Sequence, residues 1–211
     1  MTMKLAKLLP IDTNTEAKIK RAARMVFHKN GFAATRTRDI AKEAGINIAL
    51  LNYYFRSKKR LFEIVMSETL FDFMQGMISV YNDENTTLKQ KIEHITEKYI
   101  DLITSEPEIP IFIMSEIRNN PDDFFKKIPI QQLLMNSVFV KQFQQAVDER
   151  KISEANPLQF IANLMGLIIF PIMANPILKK IGNLNDSQFN EFIQERKKLI
   201  PRWVKSILKA S

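Results

Sequence analysis

Residues 44–62 read AGINIALLNYYFRSKKRLF. Tyr53, Tyr54 and Phe55 stand side by side, and Arg56, Lys58, Lys59 and Arg60 put four cations into five residues. A segment built for a core does not crowd its aromatic residues against a cationic cluster. The hydroxyls of Tyr53 and Tyr54 can donate to phosphate oxygens while their rings pack. Lys58 adds an ammonium beside the N–H groups of a starting helix, so both can meet one phosphate. The Asn52 amide has the donor and acceptor needed for a bidentate contact with adenine, although capping or simple solvation of the helix would also use an asparagine there. Other chemistries have little to stand on. The chain has two histidines, His28 and His94, and no cysteine, so thiolate metal sites and thiol nucleophiles are excluded. It carries no glycine-rich phosphate loop and no helical His-Glu-x-x-His. The one conspicuous acid pair, Asp122–Asp123, follows Pro121 and reads as a turn, and His94 stands alone on a polar helix face. Neither catalysis nor a cofactor is expected.

Charge points to the same end of the chain. Through Arg60 there are 14 Lys/Arg and four Asp/Glu, a net of +10, while the remaining 17 cations and 19 anions give −2. A polyanion or an anionic surface should meet the first quarter of the molecule. The 45 % hydrophobic and 26 % charged residues are ordinary for a soluble globular chain of this length. Residues 1–12 read as a flexible arm: the apolar stretch is interrupted by Lys4 and Lys7 and is too short for a signal-peptide core. A cytoplasmic location is expected.

The elements that must position these groups are helical, and no strand pattern stands out, so the fold class is all-α. Thr13 and Glu16 have the spacing of a capping box. Ile19, Ala22, Ala23, Val26 and Phe27 follow on one helical face, and Gly31 supplies a stop. A short helix is expected over Thr37–Ala44, with Gly45 ending it, then a helix over Ile48–Tyr54 capped by Asn47. Ser57 can cap a long helix beginning near Lys58. Residues 37–55 thus have the layout of a helix-turn-helix: Ala41 is small at the crossing, Gly45 makes the turn, and Leu51 is buried. The second helix is held in front of the body, free to enter a major groove, and Phe55 turns inward. Further helices are expected near Leu88–Ser105, over 111–120, 130–150 and 157–173, and finally over 186–209, with 121–129 as a break holding at most a short turn of helix.

At these residues the N-terminal region resembles the TetR family of bacterial transcriptional regulators. The resemblance rests on Ile19, Ala23, Val26, Phe27, Gly31, Thr35, Asp39, Ile40, Ala41, Ala44, Gly45 and the run LLNYYFRSKKRLF. It covers about 50 residues and implies a helix-turn-helix domain, taken as 13–60, followed by a helical regulatory and dimerisation body, 61–211. By analogy Thr37, Tyr53, Tyr54 and Lys58 contact phosphates, and Asn47, Ile48, Ala49 and Asn52 face the groove, with Arg36 and Arg38 as additional contacts. Two positions depart from the pattern. Asn52 stands where tyrosine is common, and Arg36 replaces a small hydroxyl residue, leaving Thr35 or Thr37 to cap the second helix.

The body carries no motif. Residues 155–178 have no charge, but Pro157, Pro171 and Pro176 and several amides argue against a membrane span. A helix apolar on all sides can be buried by its own domain and by a partner. With Phe189, Phe192, Ile193, Leu199, Ile200, Val204 and Ile207 of the last helix it would form half of a four-helix homodimer interface, an arrangement the resemblance also implies. The family often holds a small-molecule effector among body helices. Phe71, Met74, Phe112, Glu116, Phe139, Phe143, Met165 and Phe170 are the candidate lining. Glu116 and Arg118 would face a polar ligand group, or solvent. The expected function is a ligand-responsive, homodimeric, sequence-specific repressor acting on double-stranded DNA. A non-specific or architectural DNA binder is the alternative, and would show steep salt dependence without sequence preference.

Overall fold

The structure is a computed structural model and describes residues 13–119, 121–127, 130–153 and 156–209. Helices form the regular structure, and no strand occurs among the described residues. The expected arm, residues 1–12, and the Thr13 side chain of the expected capping box lie outside them. The chain divides into two compact units between Glu68 and Thr69.

In the first unit, α1 (Thr13–Ala34) buries Ile19, Ala22, Ala23, Val26 and Phe27, the stripe read from the sequence. Gly31 interrupts this helix as expected, at a left-handed φ. It kinks it, with φ 70° and ψ 169°, and one more turn follows. Helix α2 (Thr37–Glu43) ends in a Schellman motif, in which Gly45 N–H donates to Lys42 O at 3.1 Å and Ile46 N–H to Ala41 O at 3.0 Å. Gly45 takes φ +61°, a conformation that costs a side-chain-bearing residue. Helix α3 (Ile48–Phe55) starts at Asn47, whose side chain accepts from Leu50 N–H at 2.7 Å, and buries Leu51 and Phe55. Ser57 caps α4 (Lys58–Asn82) by accepting from Arg60 N–H at 3.1 Å. Phe27 meets Phe62 edge-on at 5.0 Å, and Lys20 joins Glu68 at 2.7 Å and Glu16 at 3.3 Å. The Glu68 carboxylate, ahead of Glu16, holds the Lys20 ammonium above its usual pKa.

The second unit begins inside α4 and continues through α5 (Leu88–Ser105), α6 (Ile109–Asn119), α7 (Pro121–Lys127), α8 (Ile130–Met135), α9 (Val138–Asp148), α10 (Pro157–Met173), α11 (Asn175–Gly182) and α12 (Asp186–Lys209). Its core gathers Ile95, Ile100, Phe139, Phe143, Phe160, Leu164, Ile193 and Ile200, and Phe143 stacks on Phe160 at 4.8 Å. Lys91 is fully buried, but its ammonium is satisfied by Thr86 O and Thr86 Oγ1, each at 2.7 Å, and by Asp83 O.

Three helical boundaries differ from expectation. Pro121–Lys127 is a helix of seven residues rather than a break, because proline fits a first helical turn. The single helix expected over 130–150 is interrupted: Ser137 is an N-cap accepting from Val140 N–H at 3.3 Å, so α9 starts anew. Asn175–Gly182 forms its own helix, with Pro176 near its start and Asn183 left-handed at its end. No single described helix is long and apolar enough to cross a membrane, and α10 and α11 are bent by 72° at their break.

Candidate nucleic-acid interface

Helix α3 turns Leu51 and Phe55 inward and leaves Asn47, Ile48, Ala49, Asn52 and Tyr53 exposed, with Leu50 and Tyr54 half-buried. The residues expected to face a groove therefore share one open face of a short helix. Ile48 is 46 % and Tyr53 47 % exposed, large apolar surface that a folded monomer gains nothing by showing to water. The Tyr53 and Tyr54 rings meet edge-on at 5.6 Å, and Tyr54 leans on Phe55 at 6.3 Å. Packing thus orients the two phenols, as a positioned hydroxyl requires. Asn47 has a structural task as well: its Oδ1 caps the helix, which leaves the amide N–H groups to point outward.

At the start of α2 neither threonine is the cap. Arg36 holds the N-cap position, and its backbone N–H donates to Asp39 Oδ2 at 3.0 Å. Thr35 is buried and donates to Gly31 O at 2.7 Å, tying the kink of α1 to the turn. The side chains of Arg36 and Arg38 are exposed and Thr37 is half-buried at the first turn.

Lys58 differs from the sequence reading. Its ammonium donates to Phe32 O at 2.8 Å and Thr35 O at 2.9 Å and lies 4.3 Å from the centre of the Phe32 ring. Two of its three donors therefore hold the end of α1 against the start of α4, and one is left for a phosphate. Periodicity could not signal this, because the acceptors are main-chain carbonyls made available by the Gly31 kink. A Lys58→Met variant is expected to destabilise the full chain by about 1–3 kcal/mol, since two carbonyls lose their donor. Chemical denaturation reads this, and unchanged stability would return the ammonium to a purely phosphate-binding role.

One residue of this region was missed. Arg56 ends α3 with φ 60° and ψ −38°, and Ser57 N–H donates across it to Phe55 O at 2.6 Å. This is a γ-turn of the strained, positive-φ kind. It separates the α3 axis from that of α4 within two residues and leaves the Arg56 side chain exposed.

A family model described as "Bacterial regulatory proteins, tetR family" matches residues 19–65, the segment that holds α1 from Ile19, the helix-turn-helix and the start of α4. The chain carries, over these residues, a DNA-binding domain that matches the TetR family. It is accordingly a helix-turn-helix transcriptional regulator that binds DNA in a sequence-specific manner. Among its relatives is the "Probable HTH-type transcriptional regulator YttP" of Bacillus subtilis, 22 % identical over 93 % of this chain and 95 % of that protein. The "Biofilm operon icaADBC HTH-type negative transcriptional regulator IcaR" of Staphylococcus aureus is 29 % identical over 60 % of this chain and 66 % of that protein. The fold matches a TetR transcription regulator from Haloarcula marismortui at TM-score 0.62 and 14 % identity, covering 93 % of this chain and 97 % of that one. It also matches the regulator FadR of Bacillus subtilis, solved in complex with stearoyl-CoA, at TM-score 0.55 and 18 % identity, covering 88 % and 97 %.

The second unit holds a cavity of about 310 Å³ between α4 and its neighbours. Of the residues expected to line a pocket, Met74, Phe139 and Met165 do. Phe112 and Phe143 are buried in packing instead, Glu116 is half-buried off the lining, and Phe71 and Phe170 are 51 % and 66 % exposed. All eight sit on apolar helical stretches, and only the packing of α6 to α10 decides which face a void. The last helix also departs from expectation. Phe189, Ile193, Ile200 and Val204 are buried in their own unit rather than presented to a partner. The Ile207 side chain lies outside the described residues.

Proposed function

We propose that this chain is a ligand-responsive repressor that binds a palindromic operator as a homodimer. The observation that carries it is the open face of α3, where Asn47, Ile48, Ala49, Asn52 and Tyr53 are exposed together while Leu51 and Phe55 anchor the helix from behind. Such a helix fits a major groove, with Arg36, Thr37, Arg38 and Tyr54 beside it to meet phosphates. The dimer is supported by surface on α10 and α11. Phe170, Ile177 and Ile181 are 66 %, 63 % and 77 % exposed, which suits a second copy better than water. Two copies supply two recognition helices, and a two-fold dimer demands symmetric half-sites. Repression follows the relative named a negative regulator. The cavity of the second unit supplies a place for an effector. Its binding would favour a dimer whose recognition helices no longer match half-sites one turn, about 34–36 Å, apart. The protein works in the cytoplasm, as a DNA-binding regulator without catalytic activity.

Selection from random duplex DNA by the purified chain at near-physiological salt tests this reading. Enrichment of a palindrome with half-sites about one helical turn apart is expected. Binding without enrichment would leave a non-specific DNA binder and remove Asn47–Asn52 as base readers. On the selected site, Asn52→Ala is expected to cost about 1–3 kcal/mol and to relax preference at one position of each half-site. Equal losses on selected and random DNA would exclude base reading by Asn52.

A further inference from the structure

We infer that the cavity of the second unit takes an uncharged, mainly apolar molecule carrying a single hydrogen-bond acceptor, which is received by the Tyr81–Tyr99 hydroxyl pair. The inference rests on the ligand-responsive reading and names the chemistry of the effector.

Phe73, Met74, Ile113, Leu134, Ile161 and Met165 typify the walls, and no Asp, Glu, Lys, Arg or His is among the described lining residues. Glu116 stands on the same helix as lining Ile113 and Ile117 yet does not reach the space. A carboxylate or ammonium brought into these walls would lose its hydration without meeting a counter-charge, a penalty of several kcal/mol. The polar side chains that do line the space are Tyr81 and Tyr99. Their hydroxyl oxygens lie 3.4 Å apart, a long hydrogen bond. Phe73 stands edge-on to Tyr99 at 4.8 Å and holds that ring in place. A pair of phenols has two O–H protons, and the bond between them uses one. The second proton has no acceptor among the described residues. It faces a pocket otherwise lined by hydrocarbon, so the group that completes it is a carbonyl, ether or hydroxyl oxygen of the ligand. Burial raises both tyrosine pKa values, Tyr81 well above its usual value, so both stay protonated as donors near neutral pH. At about 310 Å³, the space suits a molecule of roughly ten non-hydrogen atoms, taking about 30 Å³ for each as for a water molecule.

Three probes of one length separate the possibilities: 1-decanol, decanoate and decylammonium, each below its aggregation threshold. They are titrated by calorimetry into the full chain at pH 7.5. Decanol is expected to bind at least tenfold tighter than either ion. The net charge of +8 works against this order, because it would draw decanoate to the protein non-specifically. Tyr99→Phe is expected to weaken decanol binding about threefold to tenfold, the worth of one neutral hydrogen bond, with Tyr81→Phe as the second variant should the first lose its cooperative melt. Decanoate or decylammonium binding as tightly as decanol, or no binding by any probe, overturns the inference. The same three probes are then added to the complex with selected DNA. Decanol that binds through Tyr99 but leaves DNA affinity unchanged upholds the cavity chemistry and overturns the ligand-responsive reading.

Discussion

Raising salt from 50 to 200 mM is expected to lower the affinity for the selected operator by about two to three orders of magnitude. Each neutralised phosphate contributes about −0.9 to the slope of log affinity against log salt. Arg36 and Arg38 of each protomer, with or without Lys58, give about four to six ionic contacts in a dimer and a slope of about −4 to −5. The two arginines are exposed at the first turn of α2, so a double Arg36→Ala, Arg38→Ala variant is expected to remove most of this slope. It should weaken selected and random DNA alike, whereas Asn52→Ala weakens only the selected site. Filter binding or fluorescence anisotropy across a salt series reads the slope. A double variant with the wild-type slope would show that the ionic contacts lie elsewhere in the basic first unit, at Arg56, Lys59 or Arg60.

Phe27→Ala is expected to be the most damaging single change to the first unit, at about 3–5 kcal/mol. The side chain is fully buried, meets Phe62 edge-on at 5.0 Å and lies 6.3 Å from Phe32. No small neighbour can close the void, because Phe32 is itself held by the Lys58 ammonium. Whole domains are stable by only about 5–15 kcal/mol, so a loss of this size removes much of what holds the recognition helix in place. Denaturation followed by circular dichroism should show an early transition, and operator binding should be lost at temperatures where the second unit is still helical. Phe27→Leu, which keeps most of the volume, should retain binding. A Phe27→Ala protein with an unchanged melt and normal operator affinity would mean that this aromatic cluster does not support α3.

The N-terminal third was largely legible because its determinants are local. The apolar stripe from Ile19 to Phe27, the cap at Asn47, the left-handed Gly45 and the buried Leu51 each act within a few residues, and each has a sequence signature. The exposed face of α3 followed from the same periodicity. The departures have a common cause. Asp39 accepts from the Arg36 N–H at the N-cap of α2, where no threonine caps, and Lys58 answers Phe32 O and Thr35 O. Those pairings depend on where the chain turns at Gly31, which spacing alone does not set.

What the sequence by itself determined about this protein is its all-helical class, its basic N-terminal end and the exposed residues of α3, because period, caps and charge are written residue by residue. Tertiary structure alone decided which apolar side chains of the body line a cavity. Phe143 and Met165 look alike as apolar positions on amphipathic helices, yet one is packed with no exposure and the other borders a void. It also brought Tyr81 of α4 to Tyr99 of α5, and turned Phe189 and Ile193 inward while leaving Phe170 and Ile181 outside. Burial is a property of the space between helices. Helical periodicity says that a face is apolar, and only the packing of the neighbours says whether that face meets core, cavity or partner.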